Sequence, residues 1–568
     1  MIMYKKALAG ILLGTALVIL TAGPIAAQGT SQKTETPKGW HLLDKNKDGF
    51  YGISLQGAYD LVKGKKSTTV VVAVIDSGID TLHEDLTPVL WKNPKEIPGN
   101  SIDDDKNGYV DDIYGWNFIG GKDGRNVKED SYEGARVYHK LKKKWADKQV
   151  DPATLSAEEK EEYEVWQKAK KKIEGQSIAG GVDLLLLKNA FKAAKRNDSI
   201  LRVAMAKEVF TGKELEEYVP SASDAKSARN SLLYLFKAND IMDQTNKEFI
   251  EGFGDYLAGE ERKAEAKDRE PRNFRGEITG DNEEDINDRY YGNPDVMAGT
   301  PFHGTHVAGI IGAARSNGKG MDGIADNVRI MMLRAVPDGD EHDKDIALAI
   351  RYAVDNGAKI INMSFGKDFS PQKHWVDDAV KYAESKGVLL VHAAGNDHKN
   401  LDSTDNFPNA TLKSLKSRAS NWLTVGASSD PTAEAGFESL TASFSNYGKH
   451  EVDVFAPGTK IYSTIPGKTT YGNAQGTSMA SPVVAGIAAL ILSYNPHLSP
   501  QQLKMVIEKS STPVSELVKK PGSDDEVPMS ELSRTAGIVN AEAAMKMALE
   551  IKPSKKDLPK STLKNKRG

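Results

Sequence analysis

The chain contains no cysteine in 568 residues. That excludes disulfides, thiol catalysis, thiolate metal sites and a lipidated N-terminal cysteine. A strong charge of either sign is missing too, because 75 Lys and Arg face 79 Asp and Glu for a net charge of -4. No global field therefore favours a nucleic acid or an anionic surface as partner. Tandem repeats are also absent. What is present is an ordinary globular composition, 39% hydrophobic and 27% charged, long enough for two or three domains.

Residues 1–27 join Lys5 and Lys6 to the apolar run AGILLGTALVILTAG and a small-residue end, IAA. This is the pattern of a cleaved secretory signal peptide, which places the mature protein outside the cytoplasm, secreted or periplasmic. The rival, an uncleaved anchor, is disfavoured because the run is short for a membrane span, so no stable membrane anchor is expected.

From Thr68 the run TTVVVAVIDSGID is continuously β-branched and suits a strand buried on both faces, with Asp76 at its carboxyl end. VRIMMLRAV, AKIINMSFG, GVLLVHAAGN and WLTVGASS repeat the pattern, with helical DIALAIRYAVDNG and WVDDAVKYAESKG between them. Strand and helix alternate, so the expected fold is α/β, a doubly wound, mainly parallel sheet. Chemistry in such sheets gathers at the carboxyl ends of strands, where Asp76, Ser364 and Asn396 fall.

Residues 121–280 break this rhythm with dense, balanced charge and helix starts such as Ser156 with Glu159 and Thr211 with Glu214, both in capping-box spacing. They read as a mostly α-helical insertion. The chain then divides into an N-terminal segment 28–67, a discontinuous domain formed by 68–120 and 281–550, the insertion, and a basic tail 551–568 expected to be disordered.

Taken singly, the candidate reactive residues have ordinary explanations: Asp76 a turn former, Asn396 a turn residue, His303 and His306 packing groups, Ser478 a helix cap. HGTH also lacks the glutamate and spacing of a helical zinc motif. Together, VAVIDSGID, FHGTHVAGIIGA and GTSMASP place Asp76, His303 and Ser478 in the order Asp, His, Ser. In this the chain resembles the subtilisin-like serine peptidases (subtilases, family S8). The resemblance covers roughly residues 50–120 and 280–550 and implies a serine endopeptidase acting on polypeptide substrates through an acyl-enzyme. It implies Ser478 as nucleophile, His303 as its base and Asp76 as orienter of the imidazole, with Asn396 and the Ser478 N–H as oxyanion donors. It further implies that NMSFG, with Ser364, Phe365 and Gly366, forms one edge of a slot in which the substrate adds as a strand.

Two departures stand out. Asp76 and His303 lie roughly 230 residues apart because of the insertion, whose role is open: a lid, an interaction surface or a folding aid. The second is RAVPDGDEHDKD, on the opposite side of that slot, with five acids, Asp338, Asp340, Glu341, Asp343 and Asp345. They suggest either a solvated loop or a preference for Lys or Arg two to four residues before the cleaved bond.

For metals, SIDDDKNGYVDD sets Asp103, Asp105, Asn107, the Tyr109 carbonyl and Asp111 at the ligand spacing of an EF-hand-like loop, with Gly108 at the turn. Position 12 is Tyr114, so the bidentate ligand has to come from elsewhere, such as Asp112. Ca2+ is the expected ion, since the donors are all oxygen. The alternative is an Asx-rich turn.

Overall fold

The computed structural model describes residues 36–553, apart from 147, 176–183, 239, 240, 243, 300 and 433–438. The signal-peptide reading of residues 1–27, and the tail from residue 554, lie outside the described residues.

Strand β1 spans Val70–Asp76. Val70, Val72 and Val74 enter one apolar cluster while Ala73 and Ile75 enter another, so both faces are covered, as the continuous apolar run requires. The sheet is completed by β2 (Gly115–Asn117), β3 (Val328–Arg334), β4 (Ile360–Met363), β5 (Leu389–Ala393), β6 (Trp422–Ser428), β7 (Val454–Pro457), β8 (Thr512–Pro513) and β9 (Gly537–Ile538). Their order is β8-β9-β7-β6-β5-β4-β1-β3-β2. The pairings are parallel except β8 with β9. The chain runs outward from β1 in both directions, so a crevice opens beyond the carboxyl ends of β1 and its neighbours. Asp76, opposite Arg334 in register, stands at its edge.

Between β2 and β3 the chain forms α1 (Glu133–Trp145), α2 (Ala157–Glu174), α3 (Leu184–Ala204), α4 (Ser223–Ala238) and α5 (Asn246–Glu265). The boxes at Ser156/Glu159 and Thr211/Glu214 both form, and a third at Thr245/Glu248 starts α5. Helices α3 to α5 share an apolar core of their own, whereas α1 and α2 pack around Phe369 of the sheet domain. At the base, Asn117 and Asn293 exchange both backbone hydrogen bonds, at 3.0 and 3.2 Å. This stem lets the helices leave and rejoin without disturbing the sheet. Arg275, wholly buried, fastens the return with Asp345 at 2.7 Å and Asp281 at 2.9 Å. Burial opposes its charge, but Asp345 and its neighbours hold its pKa well above the usual value. Removing one partner of such a buried pair typically costs about 3–5 kcal/mol.

Helices α6 (Phe302–Gly312) and α9 (Thr477–Tyr494) pack on one face of the sheet, and α7 (Asp343–Asp355) and α8 (Lys373–Ser385) on the other. Among the described residues α9 alone is long and apolar enough to cross a membrane, and 94% of it is buried inside the protein. Its apolarity is that of a central core helix.

Candidate active site

Asp76 ends β1 almost fully buried, and its Oδ1 accepts from His303 Nδ1 at 2.7 Å and from the Ser77 N–H at 2.7 Å. That pairing places the Nδ1 proton and leaves Nε2 as the imidazole's free acceptor. His303 occupies the first turn of α6 and keeps 35% of its side chain exposed. The approach depends on Gly304, where a Cβ would stand 2.1 Å from the Gly78 carbonyl and 3.2 Å from Asp76 Cβ. Hence the glycine in HGTH: it lets the helix start against the strand end. His306 turns away, its Nε2 donating to the carbonyls of Ile461 at 3.0 Å and Gly472 at 3.2 Å. Burial pushes its pKa down to about 3, so it is a neutral packing group.

Ser478 does not cap α9. The cap is Gly476, helical geometry begins at Thr477, and Ser478 lies inside the first turn, 5% exposed. Its Oγ donates to the Ser364 carbonyl at 3.2 Å. Pro482, four residues on, has no N–H to give back to the Ser478 carbonyl. That carbonyl instead accepts from Ser364 Oγ at 3.0 Å. A proline that would fit a first turn without loss thus sits one turn deeper, and a neighbouring strand end supplies the missing bond.

Asn396 follows β5, and its Oδ1 accepts from Thr477 N–H at 2.8 Å and Thr477 Oγ1 at 3.1 Å. Its oxygen is thereby tied to the start of α9, and among the described residues its Nδ2 has no protein partner. Asp76, Ser364 and Asn396 fall at or just past the carboxyl ends of the neighbouring strands β1, β4 and β5, where Asp76 holds His303, Ser364 holds Ser478 and Asn396 holds Thr477. Phe365 is half-buried and its carbonyl accepts from His392 Nε2 at 2.8 Å, while Gly366 is exposed.

The acidic loop differs from the expectation of a cation-seeking subsite. Asp338 pairs with Arg262 at 3.0 Å, and Asp340 accepts from the Glu133 N–H at 2.8 Å. Asp343 is held by Lys367, Ser370 and Gln372, and Asp345 by Arg275 and Tyr291. Glu341 is 2% exposed, and its Oε1 lacks a hydrogen-bond partner. The four aspartates are already partnered, by Arg262, Glu133 and Arg275 of the insertion and by the sheet domain, and Glu341 is buried, so the preference for basic substrates loses its basis.

In the Asp-rich loop the geometry regroups the expected ligands. Asp103 and Asp105 lie with Glu96 so that one oxygen of each falls within 4.8 Å of the others. Asp111 is drawn away to the N–H groups of Gly99 and Ser101, both at 2.8 Å, and Asn107 Oδ1 accepts from the Tyr109 N–H at 2.7 Å. Asp112 accepts from Asn93, Asn107 and Tyr352, and burial lifts its pKa to about 6. Glu96 comes from outside the motif, and no spacing signal marks it. A second Asp-rich stretch, DKNKDG near the N-terminus, folds as a helical turn that Asp44 caps by accepting from Asn46 and Lys47.

A model of the Subtilase family matches residues 67–537 of the chain. A thermophilic serine proteinase of Bacillus sp. (strain AK1) is 42% identical over 214 residues, 38% of this chain and 47% of its own length. Subtilisin BL of Lederbergia lenta is 35% identical over 254 residues, 44% of this chain and 80% of its own. The cell wall-associated protease of Bacillus subtilis (strain 168) is 34% identical over 215 residues, 38% of this chain and 21% of its own. The chain therefore spans less than half the length of the first of these relatives and about a fifth of the third.

Proposed function

The chain belongs to the subtilase family, and from that premise we propose that it is an exported serine endopeptidase that cleaves polypeptides through an acyl-enzyme on Ser478. The observation that carries this reading is the 2.7 Å pairing of Asp76 with His303 Nδ1 at the end of β1, with Ser478, free of capping duty in the first turn of α9, bonded to Ser364 just past the end of the neighbouring β4. For attack, the Ser478 hydroxyl exchanges the Ser364 carbonyl for His303 Nε2 as acceptor, and the imidazole takes the proton as the C–O bond to the substrate carbonyl forms. Asp76 stabilises the imidazolium. Oxyanion charge then falls between Asn396 Nδ2 and the Ser478 N–H, which belongs to the unsatisfied donors of a helix start. His303 returns the proton to the leaving amine, and water reverses the sequence to free the acid.

Export rests on the Met1–Ala27 pattern, and the absence of cysteine suits a protein whose stability owes nothing to disulfides. Glu96, Asp103 and Asp105 would hold a structural Ca2+, since three clustered carboxylates are suitable donors for a hard dication, which would relieve their mutual repulsion. The test of the peptidase reading is cleavage of casein by wild type and by Ser478→Ala. Loss of cleavage in the variant supports it, and full cleavage by the variant overturns it.

A further inference from the structure

The two walls of the substrate slot are joined to each other, and the joint comes soon after the reactive serine. On one wall, Ser364 is tied to Ser478 by two hydrogen bonds, and Gly366, two residues on, is exposed with no hydrogen bond on its N–H or C=O among the described residues. At about 3.3 Å per residue, Gly366 lies roughly 7 Å along the slot from Ser364. The other wall is backed by the insertion. The Asp338 N–H donates to the Lys128 carbonyl and the Asp338 carbonyl accepts from the Asp130 N–H, both at 2.9 Å, and the Asp340 N–H donates to the Ser131 carbonyl at 3.3 Å. Gly339 between them keeps its N–H and C=O unbonded among the described residues. A peptide strand thus has open backbone groups at Gly366 and Gly339.

The next residue closes the path. Lys367, its side chain 1% exposed, reaches across to the Glu341 carbonyl at 2.7 Å and pairs with Glu133 and Asp343, each at 2.9 Å. All three of its N–H groups are used, two on the far wall and one on the insertion. Arg136, from α1, backs the brace by binding Glu133 at 2.7 Å and the Asp340 carbonyl at 3.1 Å. Phe369, two residues further on, is packed under Ala135, Tyr138 and Trp166. Lys367 cannot leave without exposing buried charges, which favours a fixed closure over a displaceable plug.

We infer that the insertion shortens the substrate cleft, so that the protein reads about three residues before the cleaved bond and none beyond, with Lys367 as the residue that sets the limit. The inference rests on the peptidase reading above. With Ser364 beside the residue preceding the cleaved bond and Gly366 two places further, the brace stands where the fourth would lie.

A nested series of acetylated peptide p-nitroanilides with two, three, four and five residues tests it on the wild-type protein. Extension from two to three residues should raise kcat/KM, and further extension should change it by no more than twofold. A gain of fivefold or more from three to four residues in the wild type overturns the inference while leaving the peptidase reading intact. No cleavage at any length, together with no labelling by a fluorophosphonate, removes the peptidase reading and the inference with it. In Lys367→Met combined with Asp343→Asn, which avoids leaving Asp343 as a buried carboxylate without a cation while Glu133 keeps Arg136, a gain of at least fivefold should appear from three to four residues. The wild-type series decides the matter if that variant does not fold.

Discussion

Replacing Glu341 by Gln should make the protein's stability less sensitive to pH on the alkaline side. Burial raises the Glu341 carboxyl from an ordinary 4.5 to about 8, and Lys367 only partly offsets it because its ammonium binds the Glu341 carbonyl and not the carboxylate. Between pH 4.5 and about 8 the folded chain keeps a proton that the unfolded chain releases. Stability from this group is therefore full below pH 4.5 and is lost as pH rises through 8. At about 1.4 kcal/mol per pKa unit, the loss has a ceiling of roughly 5 kcal/mol. Gln carries no titration, so its own price, an amide with unmet hydrogen bonds worth about 1–3 kcal/mol, is constant with pH. Denaturant unfolding at pH 5, 7 and 9, done in a Ser478→Ala background to prevent self-digestion, should show Glu341→Gln less stable than its parent at pH 5 and gaining on it by about 2–5 kcal/mol at pH 9. Parallel pH curves for the two proteins would refute the assignment.

Asn396→Ala should lower kcat by about 10²–10³ with little change in KM, the usual effect of losing one oxyanion donor; a change confined to KM contradicts its role. Asp76→Asn should lower kcat by about 10⁴ by stabilising the wrong imidazole tautomer, and a tenfold loss or less would show that the 2.7 Å pairing does not orient the base. Chelation should lower the Tm by about 5 °C if Ca2+ at Glu96, Asp103 and Asp105 is present well above its dissociation constant. The double change Asp103→Asn with Asp105→Asn should abolish that shift, and an unchanged wild-type Tm refutes the site.

The parts of this protein legible from sequence are those in which neighbours along the chain do the work. The β-branched run of β1 declares a strand covered on both faces, and Ser156/Glu159 declares a helix start, because each signal is complete within a few residues. Asp76, His303, Ser478 and Asn396 are legible for another reason: each sits in a long motif around a strand end or helix start. What stays hidden is pairing across distance. The five acids from Asp338 to Asp345 look free until Arg262, Arg275, Glu133 and Lys367 arrive from elsewhere in the chain to hold the four aspartates, and Glu341 is buried. Glu96 joins Asp103 only because the loop folds back, and Ser364 reaches the Ser478 carbonyl only because Pro482 leaves it without a donor. Composition places charges in a segment, but burial decides which of them remain available.

The central claim is that Ser478, activated through His303 and Asp76, carries the acyl group. It is tested most directly by treating the protein with a fluorophosphonate and locating the adduct by peptide mass spectrometry. A single adduct on Ser478, absent from Ser478→Ala and strongly slowed in His303→Ala, is the predicted result. An adduct on another residue, or equal labelling of the Ser478→Ala protein, would contradict the account.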